Sequence, residues 1–418
     1  VKQIELQIKA LSPLAISRQK PGGSVSEAMD YIPGSAIRGA IASKILQESG
    51  HYSRDLSQNG GDFQSLFLGE TSAIFRNAYP ASLEIVQGKI DIQNNIKVLP
   101  ATTVSSKNKP GFCLIDENKN GVFDTLIDRF CAERYGCLYD PKCPKDDGRV
   151  EPFSGFYSIF NDDYHSHSIS KRLLTRVGIN RRRATSEDEI LYSIEALNES
   201  KEKRENPIVY SGAILVQDYQ LANSLQQFIE QRRHHFRIGG STSRGLGKVE
   251  ITAKQPIDVK LNLEARIQKF NQKLRNRWQT WKIFNNAKAE LSDEQTYFTV
   301  GLQSDAILTE QWQRTTVISP EMLKQFAELD NSICLDIQAV YSSYDYLSGW
   351  NSAWGLMKDV ELITNKGAVY LFSTTELDSW LKPLQALEMR GVGDRTCEGF
   401  GQIRVCDEFH LILREEAV

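Results

Sequence analysis

Two stretches of the chain set arginine among glycines. GGSTSRGLGK holds Gly239, Gly240, Gly245 and Gly247 around Arg244, with Lys248 just after; GVGDRTCEGFG holds Gly391, Gly393, Gly399 and Gly401 around Arg395. Glycine admits positive φ and lets a ligand come close to main-chain N–H groups. A guanidinium supplies a fork shaped for phosphate. Neither stretch is a Walker A loop, since Lys248 is followed by Val249. Each follows a helical pattern and opens a strand, the reverse of a dinucleotide fingerprint. A single such loop is equally a tight helix-to-strand connection; two at equivalent places favour contact with a phosphate backbone.

Other residues offer chemistry of the same kind. Lys171, Arg172, Arg176, Arg181, Arg182 and Arg183 put six positive charges in thirteen residues. On a hairpin they would track several phosphates, or else form a solvated face beside the acidic run SEDE (186–189). In PGSAIRG, Gly34 and Ser35 open a helix with Arg38 in its first turn. A helix N-terminus attracts anions, and Ser35 is the expected N-cap. Cys113, Cys131, Cys137 and Cys143 lie within 31 residues. Four thiolates suit a structural zinc, although no C-x2-C knuckle is present and Asp146 stands where its second cysteine would be. The alternative is four reduced thiols in an insertion. His234 and His235 are candidates for the general base of a metal-independent ribonuclease. Asp30, just before the Pro33-Gly34-Ser35 turn, is an acid that could hold a metal or assist attack by a 2′-hydroxyl.

These residues need elements to carry them. VKQIELQIKAL alternates apolar and polar residues and predicts a strand rather than a signal peptide. Ile37, Ile41 and Ile45 predict a helix after the turn. Two strand-like runs, 190–197 and 207–216, precede an amphipathic helix marked by Leu221, Leu225, Phe228 and Ile229. The second half repeats this plan: strands at 297–308, 334–346 and 367–374, then a helix marked by Leu377, Trp380, Leu381, Leu384 and Leu387. GLGKVEI (245–251) and GFGQIRV (399–405) align at an offset of 154 residues. The fold class is therefore α+β, with two ferredoxin-like units. The expected boundaries are a first domain over 1–254, a helical connector over 255–290 and a second domain over 291–418. The first domain would carry a cysteine-containing insertion at about 105–155 and a basic hairpin at about 165–200.

Composition fits a folded protein of two or three domains: 418 residues, 40% apolar and 25% charged. Fifty Lys+Arg against 53 Asp+Glu leave a net charge of −3. Nucleic acid can bind only where positive charge gathers on one face. No apolar run of about 18 residues predicts a membrane span. Seven cysteines, an odd number, argue against a secreted disulfide framework and for the cytoplasm.

Together these motifs resemble the RAMP superfamily of CRISPR-associated proteins. YIPGSAIRGAIA is similar to its first-helix signature, and GSTSRGLGKV and GVGDRTCEGFGQIRV to its glycine-rich loops. LPATT (99–103), NGVFDTL (120–126), CPKDDGRVEPFSGFY (143–157), RVGINRRRATSEDEILYSIEAL (176–197) and SGWNSAWGLM (348–357) extend the resemblance to the large two-domain RAMP subunit of subtype III-D effector complexes. The resemblance implies RRM-like domains and a subunit that grips CRISPR RNA and, through it, target RNA. The implied partners are other RAMP subunits and the large type III signature subunit, with no membrane. Its RNA contacts would be Gly34, Ser35, Arg38, Arg176, Arg181–Arg183, Gly240, Arg244, Gly245, Gly247, Lys248, Gly391, Gly393, Arg395, Gly399 and Gly401. Relatives carry a C-P-x-C knuckle where this chain has CPKD. An Asp before the PGS helix cuts target RNA in backbone subunits of type III complexes, which carries that role onto Asp30. The alternative is a RAMP endoribonuclease, using His234 or His235 on repeat RNA or Asp30 on target RNA.

Overall fold

The structure is a computed structural model that describes residues 1–18, 27–50, 55–86, 89–92, 95–113, 118–180, 185–201, 204–284, 291–351 and 355–418. Its helices are α1 (Gly34–Ser49), α2 (Gly61–Phe67), α3 (Leu126–Arg134), α4 (Tyr219–Gln231), α5 (Leu263–Trp281), α6 (Pro320–Ala327) and α7 (Leu377–Arg390). With antiparallel sheets throughout, the class is α+β, as the patterns predict.

The first half is built on the strand Lys2–Ala10. It pairs antiparallel with Val209–Val216 on one side and Val249–Ala253 on the other. Ile74–Phe75 completes the sheet beyond Val209–Val216. Ile4, Leu6 and Ile8 are fully buried on one face of the alternating strand, against Ile37 and Ile41 of α1 and Leu225 and Ile229 of α4. The helix α4 begins at Asp218, whose carboxylate accepts from the Leu221 amide. α1 starts differently from the expectation: Pro33, not Ser35, is its N-cap and makes no side-chain cap. Asn77 supplies the acceptor instead, taking the Gly34 amide at 2.8 Å from a neighbouring strand segment. A distant residue outcompetes the local cap because the helix start is packed against that strand.

The second half has Thr296–Leu302 at its centre, between Val369–Thr374 and Ile403–Val405, with Asp336–Tyr341 at the edge. Numbered along the chain, the four strands named in each half lie in the order 4-1-3-2, and the short strands Tyr79–Ala81 and Ile257–Asp258 extend the first sheet. The repeat seen in the two glycine loops is therefore a repeat of whole sheets.

The stretch 255–290 contains α5. Leu263, Ile267, Phe270, Leu274 and Trp278 are buried along one side of it, in the core of the second half. α3, inside the region expected to be irregular, joins the same core through Leu126, Ile127, Phe130 and Cys131. Its Asp128 is fully buried and satisfied by Arg277 at 3.1 Å, Trp281 Nε1 at 2.8 Å and Tyr139 at 3.3 Å. A buried carboxylate is tolerated only when its oxygens are engaged this fully. The last residues return to the inserted region, where Val122 and Val418 exchange two backbone hydrogen bonds. Among the described residues, no helix is long and apolar enough to cross a membrane.

Candidate nucleic-acid interface

From Gly239 and Gly393 onward the two glycine loops follow matching backbone paths at the offset of 154. Gly239 and Gly393 have φ of 92° and 79°, Gly245 and Gly399 86° and 96°, and Gly247 and Gly401 82° and 63°. Each loop contains one turn of 3-10 helix, Thr242–Arg244 and Thr396–Glu398. Their hydrogen bonds correspond as well. The Ile238 amide donates to Gly247 O and the Val392 amide to Gly401 O, both at 2.8 Å. A Cβ at Gly247 would collide with Ile238 O, and one at Gly401 with Val392 O. The chain's own packing demands these glycines, whatever binds there.

The surroundings of the two loops differ. Space beside Gly245 is open, whereas a Cβ at Gly399 would meet Asn77 Oδ1, Phe75 O and the Gly34 amide. The second loop is wedged onto the start of α1, so Gly34 and Gly399 form a joint between the halves. The offset also sets Arg395 opposite Ser241, and Glu398 opposite Arg244. The arginines are not equivalent, although three of the four glycines in each loop are.

Around the open loop the structure gathers three predicted or neighbouring groups. Arg244 lies over the Tyr192 ring, 5.5 Å from its centroid, and donates to its hydroxyl. Arg176, on the hairpin strand Lys171–Asn180, donates to Arg244 O at 3.3 and 3.4 Å. The hairpin, whose second strand is Thr185–Leu197, leans its basic edge on the first loop. Arg181, Arg182 and Arg183 lie outside the described residues. An exposed guanidinium held over an aromatic ring offers both charge and a stacking surface, as single-stranded nucleic acid requires. Tyr192 carried no sequence signal; only the hairpin's register brings it to Arg244. Lys171 is engaged elsewhere, 2.6 Å from Asp30, the candidate acid.

At the joint a second basic group forms. Arg395 pairs with Glu398 at 2.6 Å. Burial pushes the Glu398 carboxyl up, yet Arg395, Lys358 and Arg38 together hold it below the usual carboxylate range. Desolvation, with Arg395 and Arg38 nearby, lowers the Lys358 ammonium. Among the described residues Arg395 alone pairs directly with Glu398, and Lys358 and Arg38 act on it from farther away. Arg38 also donates to Phe67 O at the end of α2. Lys358 was invisible in the sequence, because its partners lie far away along the chain.

The remaining candidates sit apart. His234 and His235 line a hollow of about 380 Å³ with Lys44, Arg237 and Lys248, and His234 Nε2 lies 3.7 Å from Glu250. The four cysteines do not fit a zinc site. Cys131 is fully buried in the apolar core of the second half, packed among α3 and α5 side chains. Cys113 donates to Ala417 O at 3.6 Å and Cys137 to Tyr135 O at 3.8 Å. Cys143 hydrogen-bonds Asp146, whose carboxylate also accepts from Asn120 at 2.7 Å and the Gly148 amide at 3.0 Å. Among the described residues, no three His, Cys, Asp or Glu side chains gather as a metal would need.

Residues 7–250 match the sequence profile of the RAMP superfamily. The chain belongs to the RAMP superfamily. No curated protein matches it. Among solved structures it is similar to a chain of the type III-B Cmr-beta complex bound to cognate target RNA and AMPPnP, with 13% identity, 90% of this chain and 88% of that one covered, and a TM-score of 0.38. A chain of the same complex bound to cognate target RNA gives 12% identity, 88% and 86% coverage and a TM-score of 0.39. A chain of its apo state gives 13%, 60% and 96%, and 0.27.

Proposed function

We propose that this RAMP protein is an RNA-gripping structural subunit of a type III, III-D-like CRISPR effector complex. It holds the guide RNA by its backbone, and guide pairing then reads foreign RNA. Each 4-1-3-2 sheet with its helices is a ferredoxin-like, RRM-like unit, with the boundary between the units at about residues 255–290. The observation that carries the reading is the Arg176–Arg244–Tyr192 cluster on the open glycine loop. The Arg38–Lys358–Arg395 group at the joint, with the main chain around Gly34, Ser35 and Gly391–Gly401, is its second contact. Gly240, Gly245 and Lys248 extend the first. Other RAMP subunits and the large signature subunit are its protein partners.

Phosphate contacts by arginine are independent of sequence and release counterions. Binding of a mixed-sequence single-stranded oligoribonucleotide should therefore weaken with salt. The double variant R176A/R244A should lower affinity by roughly tenfold or more and reduce the salt slope by about one unit per lost contact, equally for unrelated sequences. A loss confined to one sequence, or an unchanged salt slope, would remove this interface from the account.

A further inference from the structure

Another hollow lies between the two halves. It is a cleft of about 550 Å³. Gln3, Glu5, Ser211 and Ala213 form one side of it, on the face of the first sheet that turns away from α1 and α4. The opening of α5 and the strand Ile403–Val405 form the other.

Its charges do not balance. Three carboxylates line it, and each already holds a cation: Glu388 pairs with Arg266 at 2.7 Å, Glu408 with Lys97 at 2.8 Å and Glu5 with Lys254 at 3.4 Å. Glu388 has no oxygen to spare, since its second one accepts the Val405 amide at 2.6 Å. Arg404 lines it too and shares Glu408 at 2.7 Å, which leaves three further lining cations, Arg76, Lys260 and Lys269. Among the described residues none of them has an ion-pair partner within 4.0 Å. Arg76 is the most exacting case. One of its Nη atoms donates to the Glu388 main-chain oxygen at 2.9 Å, while its Nε is buried with no acceptor. A buried donor left unsatisfied is costly, and more so when it is charged. Arg76 nevertheless lines the cleft, where an anion would add a counter-charge to its guanidinium.

We propose that this cleft binds a phosphate-bearing ligand of mononucleotide size, with Arg76, Lys260 and Lys269 as the cationic groups facing the phosphoryl oxygens. A planar guanidinium and two ammonium groups match a dianion with several acceptor oxygens. The volume lies in the range of small-ligand pockets, beyond what a lone inorganic ion fills. The phosphoryl group belongs to a free nucleotide or to the 5′-terminal nucleotide of an RNA strand. The site is separate from the glycine-loop interface: it uses neither Arg176, Arg244, Arg38 nor Arg395, and does not depend on the function proposed above.

Full-length protein titrated with AMP in a calorimeter tests the site, with inorganic phosphate as competitor. A 5′-phosphorylated tetraribonucleotide and its 5′-hydroxyl counterpart form the second arm. Saturable binding of AMP, or binding of the tetranucleotide only when 5′-phosphorylated, supports the site and tells the two sources apart. The surface variant K260A/K269A should weaken that binding roughly tenfold at an unchanged melting temperature, and R76Q should abolish it. R176A/R244A should leave it unchanged. Failure of both AMP and the phosphorylated tetranucleotide to bind overturns the proposal. So does binding insensitive to K260A/K269A, or binding lost in R176A/R244A.

Discussion

His410 shows how single residues tie the halves together. Its ring is fully buried, with Nδ1 3.1 Å from Asp124 Oδ2. Burial pushes its pKa down, but Asp124, its hydrogen bond and the more distant Asp407 outweigh that and raise it above the ordinary 6.5. A group whose folded pKa is raised contributes its stability fully below the unfolded value and loses it as pH rises through the folded one. The protein should therefore melt at a lower temperature at pH 8 than at pH 6, by about 2 °C, and H410Q should remove most of that difference. An equal pH dependence in H410Q would show that the His410–Asp124 pair contributes nothing. At this scale the sequence exposed Arg38, Arg244 and Arg395 but not their companions. Tyr192, Lys358 and Asn77 carry no local pattern; sheet register and helix docking bring them to the loops. Ser35 illustrates the converse, a sound local cap displaced by an acceptor 43 residues away.

The glycine loop is the element that recurs, and its two copies separate packing from function. Gly401 has φ of 63° and a Cβ there would strike Val392 O, whereas Gly245, at φ 86°, faces open space. G401A should cost roughly 3 kcal/mol or more of stability, from strain and a backbone collision together. G245A should cost only about 1 kcal/mol, from the left-handed conformation alone. Chemical denaturation compares the two, and equal losses would refute the difference in surroundings. Elements with strong periodicity were legible. Ile4, Leu6 and Ile8 gave the first strand, Leu225 and Ile229 gave α4, and Trp380 and Leu384 gave α7. α3 was not, because Leu126, Ile127, Phe130 and Cys131 crowd one short helix among polar turns. Only the long-range fit against α5 shows what that apolar face covers.

For the molecule as a whole, the offset of 154 residues foreshadowed two equivalent sheets, and both have the order 4-1-3-2. How they join was beyond the sequence. The second loop seats on α1, the chain's last residues pair with Val122, and α5 packs the inserted α3 into the second core. These contacts engage the second loop at the joint and leave the first loop open beside the hairpin. A net charge of −3 is compatible with RNA binding only through such localised cations. The most direct test is photocross-linking of the full-length protein to 4-thiouridine-containing single-stranded RNA, followed by peptide mapping. Cross-links should concentrate on the segments containing Tyr192 and Arg244, with a second set around Arg395. RNA that cross-links only to surfaces remote from both glycine loops, or does not cross-link at all, would contradict the account.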